Sequence, residues 1–112
     1  MGPVLCHEFG IMDRAPQPGE RYDCYEPEKY RCIQVSDDDL QPVLEAFCRG
    51  KAYWHTLDKP EMGLAYCGVT LIPPESAAFY LELVLERHKL SALAALFSEA
   101  VQEQKYVIHF GI

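Results

Sequence analysis

Positive charge is what this sequence has least of. Ten lysines and arginines stand against seventeen aspartates and glutamates in 112 residues, a formal net charge of −7. No run of basic residues occurs, so the field needed to hold a phosphate backbone is absent and nucleic-acid binding is not expected. Long apolar runs are missing too. The longest, Ala92 to Phe97, falls far short of a bilayer span, and no membrane association is expected. The opening MGPVLCHEF has neither a basic leader nor a long apolar stretch, and its Met1-Gly2 start is followed by Pro3 and by Cys6 where an acylation signal has Ser or Thr. A cytoplasmic location is the expectation. The five cysteines are odd in number and contain no C-x-x-C pair, which argues against a disulfide framework or a thiolate metal site. Cys32, Cys48 and Cys67 are read as small core hydrophobes.

What is present is apolar bulk. Hydrophobic residues make up 49% of the chain and charged ones 24%, enough for one soluble domain with its own core and too much for a disordered tail. The acidity is uneven. Residues 1–50 hold ten acids and five bases (−5), and residues 51–112 hold seven and five (−2). Such a field suits a basic protein partner or a cationic small molecule, although it also serves solubility.

Hydrophobic periodicity gives the order β-β-α-β-β-α-α-β. Val4–Met12 and Lys29–Val35 read as strands, separated by a proline-containing stretch, residues 13–28, that is long for a connection. Ser36-Asp37-Asp38-Asp39 opens a helix. Because Pro42 belongs in a first turn, Asp39 is the expected N-cap, and Gly50 the stop. The triple Asp lacks the alternating oxygens and glycine of a calcium loop. Lys51–Leu57 and Leu64–Ile72 form an antiparallel hairpin across a turn at 58–63. Pro73-Pro74 opens a largely buried helix, a second amphipathic helix follows Ser91, and Lys105–Ile112 closes the chain as a strand. The predicted fold is an α+β two-layer sandwich, a mainly antiparallel or mixed sheet of about five strands with helices on one face.

Side-chain alternation sorts the strand faces. The expected helix-facing set is Ala52, Trp54 and Thr56, with Ala65, Cys67, Val69 and Leu71, with Tyr106, Ile108, Phe110 and Ile112, and with Leu5, His7, Phe9 and Ile11. The opposite face would then carry Tyr30, Tyr53, His55, Tyr66 and His109, with Gly68 and Gly111 leaving floor space. These five aromatic and imidazole side chains are the candidate ligand-binding residues. His55 leads them, because Asp58 is near enough in sequence to orient its ring. No nucleophile or oxyanion site is spaced around it, so no catalytic residue is assigned. His7, Glu8, His55, Asp58 and His109 match no metal-ligand spacing, and no metal or other cofactor is expected. A Cys32–His55 or Cys32–His109 pair would need a depressed thiol pKa, which the surrounding acids oppose.

Residues 13–28 supply the second candidate surface. Arg21, Tyr22 and Tyr25 mix charge with aromatic bulk, as partner-contact residues do, on a segment stiffened by prolines. The same segment could equally serve as a lid over the polar sheet face. The expected function is therefore a small acidic binding or regulatory module acting through protein contact or dimerisation. The alternatives are a ligand-binding domain or enzyme using the Tyr/His face around His55, and a structural subunit whose sheet face is an interface.

Overall fold

Alternation works as expected at the chain's first strand. In the computed structural model, which describes residues 5–112, Cys6–Ile11 (β1) buries His7 and Phe9 on one side. The expected strand start at Val4 and the Met1-Gly2 signal lie outside the described residues. Among the described residues six strands form one sheet in the order β2-β1-β6-β5-β3-β4, every neighbouring pair antiparallel. They are β1, Ile33–Ser36 (β2), Lys51–Trp54 (β3), Pro60–Met62 (β4), Val69–Ile72 (β5) and Val107–Phe110 (β6). Asp37–Phe47 (α1), Pro74–Val84 (α2) and Ser91–Glu103 (α3) supply the helices. The architecture is α+β, with six strands in place of about five. The added strand is β4, built from the segment expected to be only a turn; it pairs along the outer side of β3.

Helices and sheet share the larger core. Phe9, Val35, Ile72 and Val107 meet Leu40, Val43 and Phe47 of α1, Tyr80 and Val84 of α2, and Leu93 and Phe97 of α3. Phe47 stacks on Tyr80 with centroids 4.3 Å apart, and the Tyr80 hydroxyl donates to the Gly50 carbonyl, so the buried phenol is satisfied. A second, smaller core lies on the other side of the sheet. Met12, Val69, Leu71, Ile108 and Phe110 are buried there beneath Tyr22, Tyr30 and Cys32. Residues 12–32 are thus a lid. Gly10 lets the lid descend, because a Cβ there would stand 2.6 Å from the Tyr30 carbonyl oxygen.

The lid reverses two face assignments. Val69, Leu71, Ile108 and Phe110 point to the lid, and Thr70, Ile72, Val107 and His109 to the helices. Both faces of β5 and β6 are covered, so every residue in these strands is buried and the apolar set no longer marks the helix side. The floor space expected above Gly68 and Gly111 is filled as well, by the His55 ring and by the Tyr66 backbone.

Local differences have local causes. Lys29–Tyr30 belongs to a 3-10 turn, Pro27–Tyr30, that ends at Arg31 in the left-handed region (φ 50°), so β2 begins only at Ile33. β3 stops at Trp54 because His55 is also left-handed (φ 65°). α1 starts at Asp37 with Ser36 as N-cap, not at Asp39, which places Pro42 inside the helix. Cys48 and Cys67 are exposed rather than core residues: Cys48 caps the end of α1, and Cys67 lies in the turn before β5.

Candidate functional site

A line of hydrogen-bonded polar side chains runs from the buried sheet to the surface. His7 of β1, His109 of β6 and Thr70 of β5 occupy the helix-facing side, where the register sets Phe9 opposite His109 and His109 opposite Thr70. His7 Nδ1 lies 2.8 Å from His109 Nε2, and His109 Nδ1 lies 3.1 Å from Thr70 Oγ1. His7 Nε2 lies 2.8 Å from Asp37 Oδ1. Asp37 Oδ2 then accepts from the Tyr66 hydroxyl at 2.8 Å and from Gln41 Nε2 at 3.1 Å. Both histidines and Thr70 are fully buried, and Tyr66 is 39% exposed, so the line opens to solvent at Tyr66.

Proton positions follow from donor and acceptor counts. The hydrogen bond from His7 holds the Asp37 carboxyl below its usual range, helped by Gln41 and Tyr66 against the opposing effect of desolvation. Asp37 stands in the first turn of α1, where the helix dipole also favours an anion. An ionised Asp37 only accepts, so His7 Nε2 carries a proton. Burial, and then the proximity of His7, push His109 well below the ordinary imidazole value, so His109 is neutral. Thr70 Oγ1 accepts from the Ala65 amide at 2.8 Å and has its own proton to place. The arrangement that satisfies every group is Thr70 O–H to His109 Nδ1, His109 Nε2–H to His7 Nδ1, and His7 Nε2–H to Asp37.

The lid carries the second cluster. Arg21 holds Asp23 through Nε and Nη2 at 2.8 and 3.2 Å. Asp23 Oδ1 lies 2.8 Å from His55 Nδ1, close but out of line for a hydrogen bond, and Nδ1 has no other partner among the described residues. The carboxylate expected beside His55 is thus Asp23 and not Asp58. Arg21, followed by desolvation that opposes it and by the smaller pull of His55, sets Asp23 below the usual carboxylate range. The Tyr22 amide donates to the His55 carbonyl at 2.7 Å, which pins the lid to the end of β3. Tyr25 is 64% exposed, with its ring edge-on to Phe110 and its hydroxyl donating to Glu8. That bond to an anion raises the Tyr25 phenol to about 12. Burial, reinforced by Glu8, likewise lifts the Cys32 thiol to about 12, so Cys32 is no thiolate nucleophile at neutral pH.

The five expected ligand-binding residues are divided by the fold. Tyr66 and His109 join the buried line through His7 and Asp37. Tyr30 and Tyr53 pack in the lid-side core, and His55 meets Asp23. Tyr30 also borders a cleft of about 290 Å³ between the lid and the end of α3, beside Lys29, Glu103 and Lys105. Of the expected partner-contact residues, Arg21 and Tyr25 stand exposed, whereas Tyr22 packs against the lid-side core. Beside Tyr25 lie two shallow depressions of about 450 and 620 Å³, which share Pro27 and Glu28 and include Glu8, Glu26 and Gln34 in their walls. Sequence reasoning missed Asp37 and Thr70 and set His7 and His109 on opposite faces. No helix among the described residues is long and apolar enough to cross a membrane. Compared with known proteins, the chain matches no family model, no curated protein and no solved structure.

Proposed function

We propose that this protein is a small acidic binding module of the cytoplasm that acts through contact with another protein, using the shelf around Tyr25. The observation that carries the reading is the construction of the lid. The Tyr22 amide bonds it to the His55 carbonyl and Asp23 stands beside the His55 ring, Tyr22 and Tyr30 anchor it in a core, and yet Tyr25 is left in solvent. A side chain presented by an anchored segment loses less entropy on binding than one on a free chain, and an exposed tyrosine there is a typical contact anchor. The depressions beside it are wide and shallow, as suits a protein surface more than an enclosed small molecule. Glu8, Glu26 and Glu28 outnumber Lys29 and Arg31 in the walls of these depressions, which favours a basic partner.

A photo-crosslinking side chain placed at position 25 in the native cell tests this, with one at Leu85 of the α2 end, 63% exposed, as control. The expected result is a discrete protein adduct at position 25 that is absent at 85 and lost in a Glu8→Lys, Glu28→Lys variant. Identical adduct patterns at the two positions would remove the shelf from consideration. A second reading, a ligand-binding site at His55, draws on the Asp23–His55 pair and the left-handed backbone at His55. It is favoured instead if native mass spectrometry finds a small molecule that His55→Ala releases.

A further inference from the structure

The two ends of the sheet are guarded very differently. β4, at one end, begins with Pro60, follows Lys59 and carries Glu61, three devices that discourage pairing with another strand. β2, at the other end, is Ile33-Gln34-Val35-Ser36, with no charge and no proline. Its ladder phase is known. The Asp37 amide donates to the Leu5 carbonyl, and the register pairs Val35 with His7 and Ile33 with Phe9, so these residues bond inward to β1. Gln34 and Ser36 alternate with them and direct their amides away from the sheet. Gln34 is exposed, and its side chain borders the depression that also contains Glu8 and Glu28.

We propose that the open edge of β2 takes an extended basic segment of a partner protein by strand addition, with a basic side chain of that segment set against Glu8 and Glu28. The proposal rests on the protein-contact reading above and gives its mode and chemistry. A strand laid along β2 would bond to Gln34 and Ser36, and every second side chain would fall on the lid side of the sheet. There it meets Glu8 and Glu28, with Arg31 as the one basic residue in the same wall, and the exposed Asp38 stands just past the strand's end. A second copy could pair symmetrically through Gln34, but it would bring two sets of these acids together on a chain of net charge −7. The occupant that matches the charge is a basic segment.

A random dodecapeptide library displayed on phage, selected on the wild-type protein and measured against Gln34→Pro, is the test. Proline removes the central outward amide at an edge position where it is tolerated, and circular dichroism checks that the variant folds. The expected selection is of peptides that alternate basic with β-branched residues. They should bind Gln34→Pro at least tenfold more weakly, bind Glu8→Gln, Glu28→Gln more weakly, and slow hydrogen exchange of the Gln34 and Ser36 amides in the wild type. The exchange measurement stands even if the proline variant unfolds. Basic peptides that bind Gln34→Pro equally and leave both amides unprotected would overturn strand addition while the acidic contact surface survives. Selection of no basic peptide would overturn both readings. A concentration-dependent dimer broken by Gln34→Pro would replace the basic segment with a second copy.

Discussion

At the scale of single residues, the buried pair His7–His109 is the most consequential feature, because two imidazoles closed off from the surface must satisfy each other's donors and acceptors. His109 is held neutral in the fold and has an ordinary value near 6.5 in the unfolded chain. Below pH 6.5 the unfolded state takes up a proton that the folded state refuses. The stabilisation is therefore complete above that pH and is lost as pH falls, at up to about 1.4 kcal/mol per pH unit for one proton. Asp37 acts in the same direction at lower pH: its depressed value contributes stability above 3.8 that disappears on further acidification. Denaturant melts at intervals from pH 7 to 5 should show stability falling below pH 6.5, and His109→Gln should flatten that slope while lowering the plateau. A flat wild-type profile would mean that His109 is not kept neutral. Asp37→Asn tests the acceptor end. Three donors converge on the carboxylate, from His7, Tyr66 and Gln41, and an amide accepts through only one of its two atoms. The variant should lose about 1–3 kcal/mol at pH 7, read from the same melts.

At the scale of elements, the tension lies in α1. Pro42 is the sixth residue of the helix and has no amide to offer the Asp38 carbonyl, a position that costs an isolated helix about 3 kcal/mol. The helix nevertheless starts at Asp37, because the Asp37 amide bonds to Leu5 and its carboxylate is claimed by β1 and by the turn before β5. Tertiary hydrogen bonds thus override the local preference for Asp39 as N-cap. Pro42 is exposed, so Pro42→Ala removes no packing and restores one backbone bond. It should stabilise the protein by about 1–2 kcal/mol, less than the full helix penalty because alanine also frees the unfolded chain. Thermal melts at neutral pH would measure it, and a lower melting temperature would show that the proline is accommodated without cost. The same contest decides what was legible in the sequence. α2 and α3 were readable because their apolar stripes repeat at helical spacing and face one core. β1 was readable for the analogous reason at a period of two. β5 and β6 were readable as strands but not in their faces, because Val69 and Leu71 are as apolar as their neighbours and both faces are covered. The Asp37 site was unreadable because its partners lie 29 and 30 residues away, and His109 lies 102 residues from His7.

At the scale of the whole molecule, one sheet separates two cores of unequal size. Among the described residues, fifteen buried side chains form the helix-side cluster and five the lid-side cluster. The lid's own backbone has few bonds to the rest of the chain: among the described residues, the Met12 amide to Tyr106 and the Tyr22 amide to His55 are such bonds, whereas the Cys32 amide bonds to Pro27 within the lid. Burial and hydrogen bonding per residue are therefore lower in the lid than in the helices, and such a segment opens as a unit at a fraction of the global free energy. Native-state hydrogen exchange should find the Tyr22 and Cys32 amides exchanging well before those of Phe47, Val84 and Phe97. Tyr30→Ala, which empties the lid side of a large side chain, should widen the gap by accelerating Tyr22 and Cys32 while scarcely changing the helix amides. If all five amides exchange together at the global rate, the lid is continuous with the main core. The outcome bears on function, because the lid carries Tyr25 and meets β2 at Cys32. A lid that opens separately lets the shelf and the sheet edge be remodelled while Phe47, Tyr80 and Phe97 stay packed, whereas a lid that melts only with the whole would present its contact surface in a single shape throughout.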